Sequence, residues 1–362
     1  MSSYPLRVAQ KIQEASDCAS LWFDVPVDLR SAFDHRPGQF VAVSGEIAGE
    51  SVTRQYSLSS SPSDARGFRI TVKKIPGGRM STWLVDEVRP GDIVDVATPR
   101  GVFFKPLDEP HRVLVFACGS GIAPVLPIAR KLLTDGRGHR VVLNYGSRTA
   151  DEIILKDEVD ELGRDYASCH VEHVLSRADG PWSGARGRID ADYLAERSAH
   201  WETEDLPAVV YLCGPEAFMD AAERYFLARG LSQSAIRRES FDLVLTDNDD
   251  EPSLVIAGSE DAGELSETCV EIVANVGGEE ARVVPEPGES ILAALIRGDA
   301  PVPYSCQEGT CSSCISKLKQ GTANVRQAVL KSLRQDDIDE GLVLACLATP
   351  ASKRILIDFD DI

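Results

Sequence analysis

Three cysteines crowd the short stretch "CQEGTCSSC", at Cys306, Cys311 and Cys314, and a fourth, Cys346, follows far downstream in "VLACLATP". A chain that brings four thiols to one point must fold its C-terminal third around that point. The loop has to turn backbone N–H groups toward the sulfurs, because those hydrogen bonds offset clustered negative charge. Gly309 suits such a turn, being free to take positive φ. Ser305, Thr310, Ser312 and Ser313 keep bulky side chains out of it. The N-terminal "MSSYPLRVAQKIQ" has no apolar leader segment, so a cytoplasmic chain with reduced thiols is expected, and its nine cysteines are not read as a disulfide framework.

The spacing C-x4-C-x2-C with a distant fourth Cys is that of plant-type [2Fe-2S] ligation, in which one loop supplies three thiolates and another segment the fourth. Two plainer readings compete. A structural zinc site usually pairs two C-x2-C units, and only one is present here. Four unrelated buried thiols are the other. The strand, helix and loop context favours the cluster. Residues 269–362 resemble a plant-type ferredoxin domain, and "LVLACLATPASKRILIDFDD" resembles its end in oxygenase reductases. Ser312 stands where many members have Gly, and Leu347 where Gln is common; neither change removes a ligand.

Composition excludes some partners. A formal net charge of −19 argues against nucleic acid, which needs a basic face, and against an anionic membrane surface. The longest uncharged run, Val113–Ala129, is short for a membrane span and contains two Gly and two Pro. It reads better as a strand, a turn and a helix start.

The 362 residues call for two or three domains. Residues 1–106 carry short apolar runs bounded by Gly, Pro and Asp, such as "GQFVAVSG", "FRITVKKI" and "DIVDVATP". These suggest a small antiparallel barrel. Across 107–240, strand-like and helical segments alternate, which predicts a parallel α/β sheet. From Ser240 to Ala281 there is no Lys or Arg, and 241–267 reads as a solvated acidic linker. Residues 268–362 read as an α+β, β-grasp domain holding the cluster.

"RQYSLSSSP" starts at Arg54. Arg54 can grip a phosphate in a two-pronged fashion, Tyr56 can pack on an aromatic ring system, and Ser57 is small enough to donate to one. "ITVKKIPGGRMSTWL" adds Gly77 and Gly78, then Ser81 and Thr82 at a helix start, where backbone N–H groups favour phosphate. An ordinary strand explains the first motif alone. Together they resemble the flavin signature of the ferredoxin–NADP⁺ reductase superfamily, with "PRGVF", Pro99 to Phe103, closing the barrel. That resemblance also implies flavin contacts from Gln55, Val72, Lys73 and Met80, and FAD in preference to FMN.

"CGSGIAPVLPI" follows an apolar strand and opens a helix. Gly119, Ser120 and Gly121 let backbone approach a pyrophosphate, and Pro124 fits a first helical turn. A tight strand-to-helix turn is its plain explanation. "YLCGPEAF" carries Cys213, Gly214 and Pro215, which match the superfamily's Cys-Gly-Pro, whose thiol lies beside the nicotinamide. "RRESFDL" supplies Glu239 and Phe241, which the resemblance places near the flavin. Ser147–Arg148 and Ser176–Arg177 could meet an adenosine ribose or a 2′-phosphate. NADH is expected over NADPH.

The six histidines, His35, His111, His139, His170, His173 and His200, are scattered without a Rieske or facial-triad pattern and read as structural or surface residues. Oxygen chemistry then belongs to another protein. The three motif sets follow the order seen in reductase components of ring-hydroxylating and Rieske-type oxygenases, including those for phenylacetyl-CoA and ketosteroids. The resemblance implies that NADH reduces the flavin by hydride transfer, with Ser57, Cys213 and Glu239 at the transfer site. The cluster then relays single electrons to a terminal oxygenase from a chain expected to be a monomer.

Overall fold

A computed structural model describes residues 3–178, 180–197, 206–241, 252–258, 270–304, 309, 313–326 and 333–362. The chain divides into two compact units, one spanning Ser3–Glu239 and one starting at Ser240.

The first unit opens with β1 (Ser3–Ala15), β2 (Cys18–Asp24), β3 (Phe40–Ile47), β4 (Glu50–Ser57) and β5 (Phe68–Lys73). A short helix α1 (Arg79–Thr82) continues into a wider turn, Trp83–Glu87, before β6 (Ile93–Ala97). The six strands form one antiparallel sheet in the order β4-β3-β6-β1-β2-β5. A bridge from Leu58 to Ile70 brings the chain just past edge strand β4 onto edge strand β5, so the sheet curls shut. Closure hides edges that would otherwise pair with other chains. Alternate residues Val41 and Val43, Ile70 and Val72, and Val94 and Val96 point inward with Phe23 and Phe68. The period-2 pattern of the sequence thus becomes a filled interior.

Then follow β7 (Arg112–Cys118), α2 (Ile122–Thr134), β8 (Arg140–Ser147), α3 (Lys156–Asp165), β9 (Cys169–Leu175), β10 (Ala185–Arg186) and α4 (Ala191–Arg197). β11 (Ala208–Cys213), α5 (Glu216–Leu227) and β12 (Ile236–Glu239) complete this part. The sheet order is β10-β9-β8-β7-β11-β12, and every pairing is parallel. Strands buried on both faces by helices carry near-continuous apolar runs, as Val113–Ala117 and Val209–Cys213 do. Strand order reverses at β7, whose carboxyl end therefore borders a crevice beside β11. Ligands of open α/β sheets bind at such a switch point.

Several polar contacts fix the curled sheet against the parallel one. The buried Arg69 guanidinium on β5 donates to Glu158 on α3, and Arg130 on α2 reaches the same carboxylate. The Leu155 N–H donates to Glu14 at the end of β1.

The second unit contains β13 (Pro252–Ala257), β14 (Glu271–Val276), β15 (Glu279–Val283), α6 (Ile291–Arg297), β16 (Ile315–Gln320), β17 (Thr322–Arg326), α7 (Gln335–Asp339), β18 (Leu342–Leu344), β19 (Ala348–Pro350) and β20 (Arg354–Asp358). A mixed five-stranded sheet runs β15-β14-β20-β16-β18, with β14 and β20 parallel. Gly277 and Gly278, both at positive φ, make the two-residue β14–β15 hairpin. Their N–H groups donate to the Asp360 carboxylate. β13 lies inside the stretch read as solvated linker. It instead pairs with β17 in a three-stranded sheet β13-β17-β19, with Ile256 buried and opposite Ala323.

Candidate functional site

Ser57 is the last residue of β4, and Glu239 the last of β12. The Ser57 hydroxyl donates to Glu239 Oε1 at 2.7 Å, which joins the curled sheet to the edge of the parallel one. Glu239 is also the register partner of Cys213 at the end of β11. The three residues expected at the transfer site therefore come together at three strand ends. Glu239 is half-buried at the strand end. Burial pushes its pKa up to about 7, against which the Ser57 hydrogen bond pulls down. The Cys213 thiol is fully buried and held well above the usual thiol range, first by burial and then by the nearby Glu239 charge. It can pack and shape the site but does not ionise there.

Beside this trio, missing side chains let two turns pack closely and leave Gly119 open. Gly119 adopts φ +56 and Gly121 sits against the Cys213–Gly214 peptide, where a Cβ would lie 2.1 Å from the Cys213 carbonyl oxygen. Gly214 takes φ +156 and Pro215 precedes α5. Tyr145 donates to the Gly119 carbonyl at 2.9 Å and fixes the turn from below. Ser120 is half-exposed, and Pro124 is a buried residue of the first turn of α2. Bare backbone at two adjoining strand ends, one opening α2, fits a pyrophosphate.

On β4, Arg54 is exposed and, among the described residues, its guanidinium donates only to the Thr53 carbonyl at 2.7 Å. A guanidinium without a carboxylate partner on the strand that ends in Ser57 fits an anionic group. Gln55 and Tyr56 are half-buried on the same strand, and burial raises the Tyr56 phenol above its usual range. Gly78 precedes α1; a Cβ there would lie 2.5 Å from Ser81 Oγ. The helix starts at Arg79, so Ser81 and Thr82 lie within its single turn rather than opening it. The Ser81 hydroxyl folds back to the Gly78 carbonyl, and Thr82 is exposed. Val72 and Met80 are core residues of the curled sheet, so only their main chain is available to a ligand.

Lys73 and Arg148 are drawn together through Asp17. The Asp17 carboxylate lies 3.6 Å from Lys73 Nζ and 3.4 Å from Arg148 Nη2, and Arg148 Nε also donates to Glu152 at 2.6 Å. Ser147 is buried at the end of β8. Asp17 drew no notice in the sequence because a lone Asp in a hairpin reads as a turn former. Phe241 is half-exposed just beyond Glu239.

In the second unit Cys314 and Cys346 are buried free thiols with sulfurs 3.3 Å apart. The Ala345 N–H donates to the Cys314 carbonyl, and Ile315 pairs with Leu344, so backbone ties the two cysteines together. Metal–sulfur bonds of about 2.3 Å in a tetrahedral arrangement hold sulfurs roughly 3.5–4 Å apart, so this pair fits thiolates sharing one metal centre. Gly309 takes φ +76, and a Cβ there would lie 2.2 Å from Leu347 Cδ1. Leu347 thus packs onto the bare face of the loop glycine. Cys306 and Cys311, like Ser305, Thr310 and Ser312, lie outside the described residues, as does His200. Of the other histidines, His139 accepts from the His111 N–H, and His173 pairs with Asp160.

Comparison with known proteins finds three families along the chain. Residues 5–104 match the family described as an oxidoreductase FAD-binding domain, 115–224 an oxidoreductase NAD-binding domain, and 274–351 a 2Fe-2S iron-sulfur cluster binding domain. The chain is 32% identical to the ferredoxin reductase component of 3-ketosteroid-9-alpha-monooxygenase from Rhodococcus rhodochrous, over 98% of this chain and 96% of that one. It is 30% identical to the reductase component of glycine betaine monooxygenase from Chromohalobacter salexigens, over 98% and 95%. Among solved structures, phthalate dioxygenase reductase shares the fold with a TM-score of 0.56 at 23% identity, covering 99% of this chain and 98% of that one.

Proposed function

Because the chain belongs to the family of reductase components of oxygenase systems, in which FAD-, NAD- and 2Fe-2S-binding domains follow one another, we propose that it takes electrons from NADH and passes them singly to a terminal oxygenase. FAD accepts electrons in pairs and releases them one at a time, and a 2Fe-2S cluster carries one at a time. The observation that carries this reading is the meeting of Ser57, Cys213 and Glu239, one from the FAD-binding part and two from the NAD-binding part, at the carboxyl ends of their strands.

The protein's own groups supply binding, orientation and a proton store. Arg54 would neutralise the flavin's phosphate, and the Gly119–Gly121 and Gly214 backbone would receive the nucleotide pyrophosphate. Cys213, neutral and buried in the core beneath the strand end, would support the Gly121 and Gly214 backbone from behind and help exclude water. Glu239 changes protonation near neutral pH. When it is ionised, the single Ser57 proton is committed to the carboxylate. When it is protonated, the acid can donate to Ser57 Oγ and leave the Ser57 O–H free to point at the acceptor. Cys314 and Cys346, with Cys306 and Cys311, would hold the cluster.

The preference for NADH is supported by Arg148, whose guanidinium already faces Glu152 and Asp17. A 2′-phosphate arriving there would meet two carboxylates. Among the described residues no helix is long and apolar enough to cross a membrane. A monomer working in the cytoplasm is the simplest form consistent with this reading. The test is anaerobic titration with NADH and with NADPH while flavin and cluster absorbance are followed. Bleaching of both chromophores by NADH is expected, and a flavin that NADH leaves oxidised would overturn the proposal.

A further inference from the structure

Glu239 occupies an unfavourable place for a residue that must hold position. β12 is four residues long, forms the edge of its sheet beside β11 alone, and ends at Glu239 itself. The ends of short edge strands open most easily. Something other than the ladder has to hold this one.

Side chains alternate across the strand. Arg237 shares the Glu239 face and donates to the Lys105 carbonyl and the Tyr211 hydroxyl, both at 3.1 Å. Arg238 takes the opposite face and meets three carboxylates of α5. It contacts Glu216 at 2.5 Å, Asp220 at 2.8 Å and Glu223 more closely still. The guanidinium is mostly buried, and the carboxylates keep it charged against the cost of that burial. Charge-assisted bonds in such a setting are stronger than neutral ones. The three acids lie on one face of α5 at successive turns, so without the arginine they would repel one another. α5 itself begins just after Cys213, Gly214 and Pro215. One side chain thus ties the strand that ends in Glu239 to the helix that follows the Cys-Gly-Pro turn.

We propose that Arg238 is a positioning residue for hydride transfer: by clamping β12 onto Glu216, Asp220 and Glu223 of α5, it holds Glu239 against Ser57 and Cys213. The inference rests on the NADH-to-flavin reading given above. It assigns Arg238 no contact with nucleotide or flavin. Its loss should therefore slow the transfer step and leave nucleotide affinity alone.

The test is stopped-flow reduction of the flavin in the full-length holoprotein, over a series of NADH concentrations. In Arg238→Gln the limiting rate should fall by about tenfold or more, because small misplacements at a transfer site cost rates of that order, while the NADH concentration for half-maximal rate stays within about twofold. An unchanged limiting rate, or a rise in that concentration alone, would overturn the proposal. Should Arg238→Gln not fold with its flavin, Asp220→Asn and Glu223→Gln provide the reading, since each removes one carboxylate charge and leaves β12 intact. A lower limiting rate in both supports the clamp, and wild-type rates in both overturn it. If wild-type flavin is not reduced by NADH at all, the functional reading fails first, and the clamp falls with it.

Discussion

Ser57 and Glu239 stand 182 positions apart in the chain and 2.7 Å apart in space, hydroxyl to carboxylate. This bond joins the end of a strand in the flavin-binding part to the end of a strand in the nucleotide-binding part. A proton that moves between them is shared by both.

Ser57→Ala removes the hydroxyl that, once Glu239 is protonated, is free to turn toward an acceptor. The limiting rate of flavin reduction by NADH is expected to fall by about 100-fold, the low end of the range for losing a positioned proton-transfer group. Flavin content should be unchanged, as checked by absorbance after gel filtration.

The Glu239 carboxyl titrates near 7 in the fold rather than at its ordinary 4.5. The folded state therefore binds its proton more tightly than the unfolded state does. The stability this group contributes is fully present below about 4.5 and is lost as pH rises through 7. The same protonation frees the Ser57 O–H, so the limiting reduction rate should decline as pH passes 7. In Glu239→Gln both dependences should flatten, as measured by thermal melts and stopped-flow rates from pH 5 to about pH 9, a range spanning the ionisation on both sides.

Gly121→Ala forces a Cβ against the Cys213 carbonyl oxygen at 2.1 Å, where backbone must shift. Overpacking of this kind costs about 1–3 kcal/mol. Because the displaced peptide leads into Gly214, weaker NADH binding should accompany the lower melting temperature. Reduction of the flavin by dithionite should be unaffected.

Cys346→Ser and Cys314→Ser should each abolish the iron–sulfur absorbance and retain the flavin spectrum, because the cysteines and the flavin residues lie in different units. NADH reduction of ferricyanide, which can draw directly on the flavin, should survive, while reduction of the oxygenase should not.

Much of this arrangement was legible from the chain. Apolar runs bounded by Gly and Pro marked the curled sheet, and the alternation from Arg112 onward marked the parallel one. Ser57, Cys213 and Glu239 could be named one by one, but their meeting depends on closure of the first sheet against the edge of the second, which no local pattern encodes. The Arg238 cage left a faint mark, since Glu216, Asp220 and Glu223 fall on one helical face. What that face was facing could not be read. β13 was obscured for a different reason. "PSLVIA" is a short apolar run, but the acids around it gave the whole stretch the look of solvated chain. A strand of that length takes its conformation from the partner it finds. Val72 and Met80 turn their side chains into the core, so at these two positions the sequence could name the residue but not that only its main chain faces out.

β13 gives a last stability test. Ile256 is buried opposite Ala323, so Ile256→Asp should place a charge in an apolar contact and expose the β17 edge. A loss of about 2–4 kcal/mol is expected for the ferredoxin-like unit, read as a lower melting transition of its cluster absorbance. If the segment were solvated spacer, the substitution would have no effect.

The pairing of β13 with β17 also dictates where this protein can be taken apart. Grafting its electron outlet onto a foreign reductase, or replacing it with another, requires a cut upstream of Pro252. A junction made closer to the first cysteine motif would strand six residues on the donor side and leave the transplanted piece with a raw edge ready to pair with its neighbours.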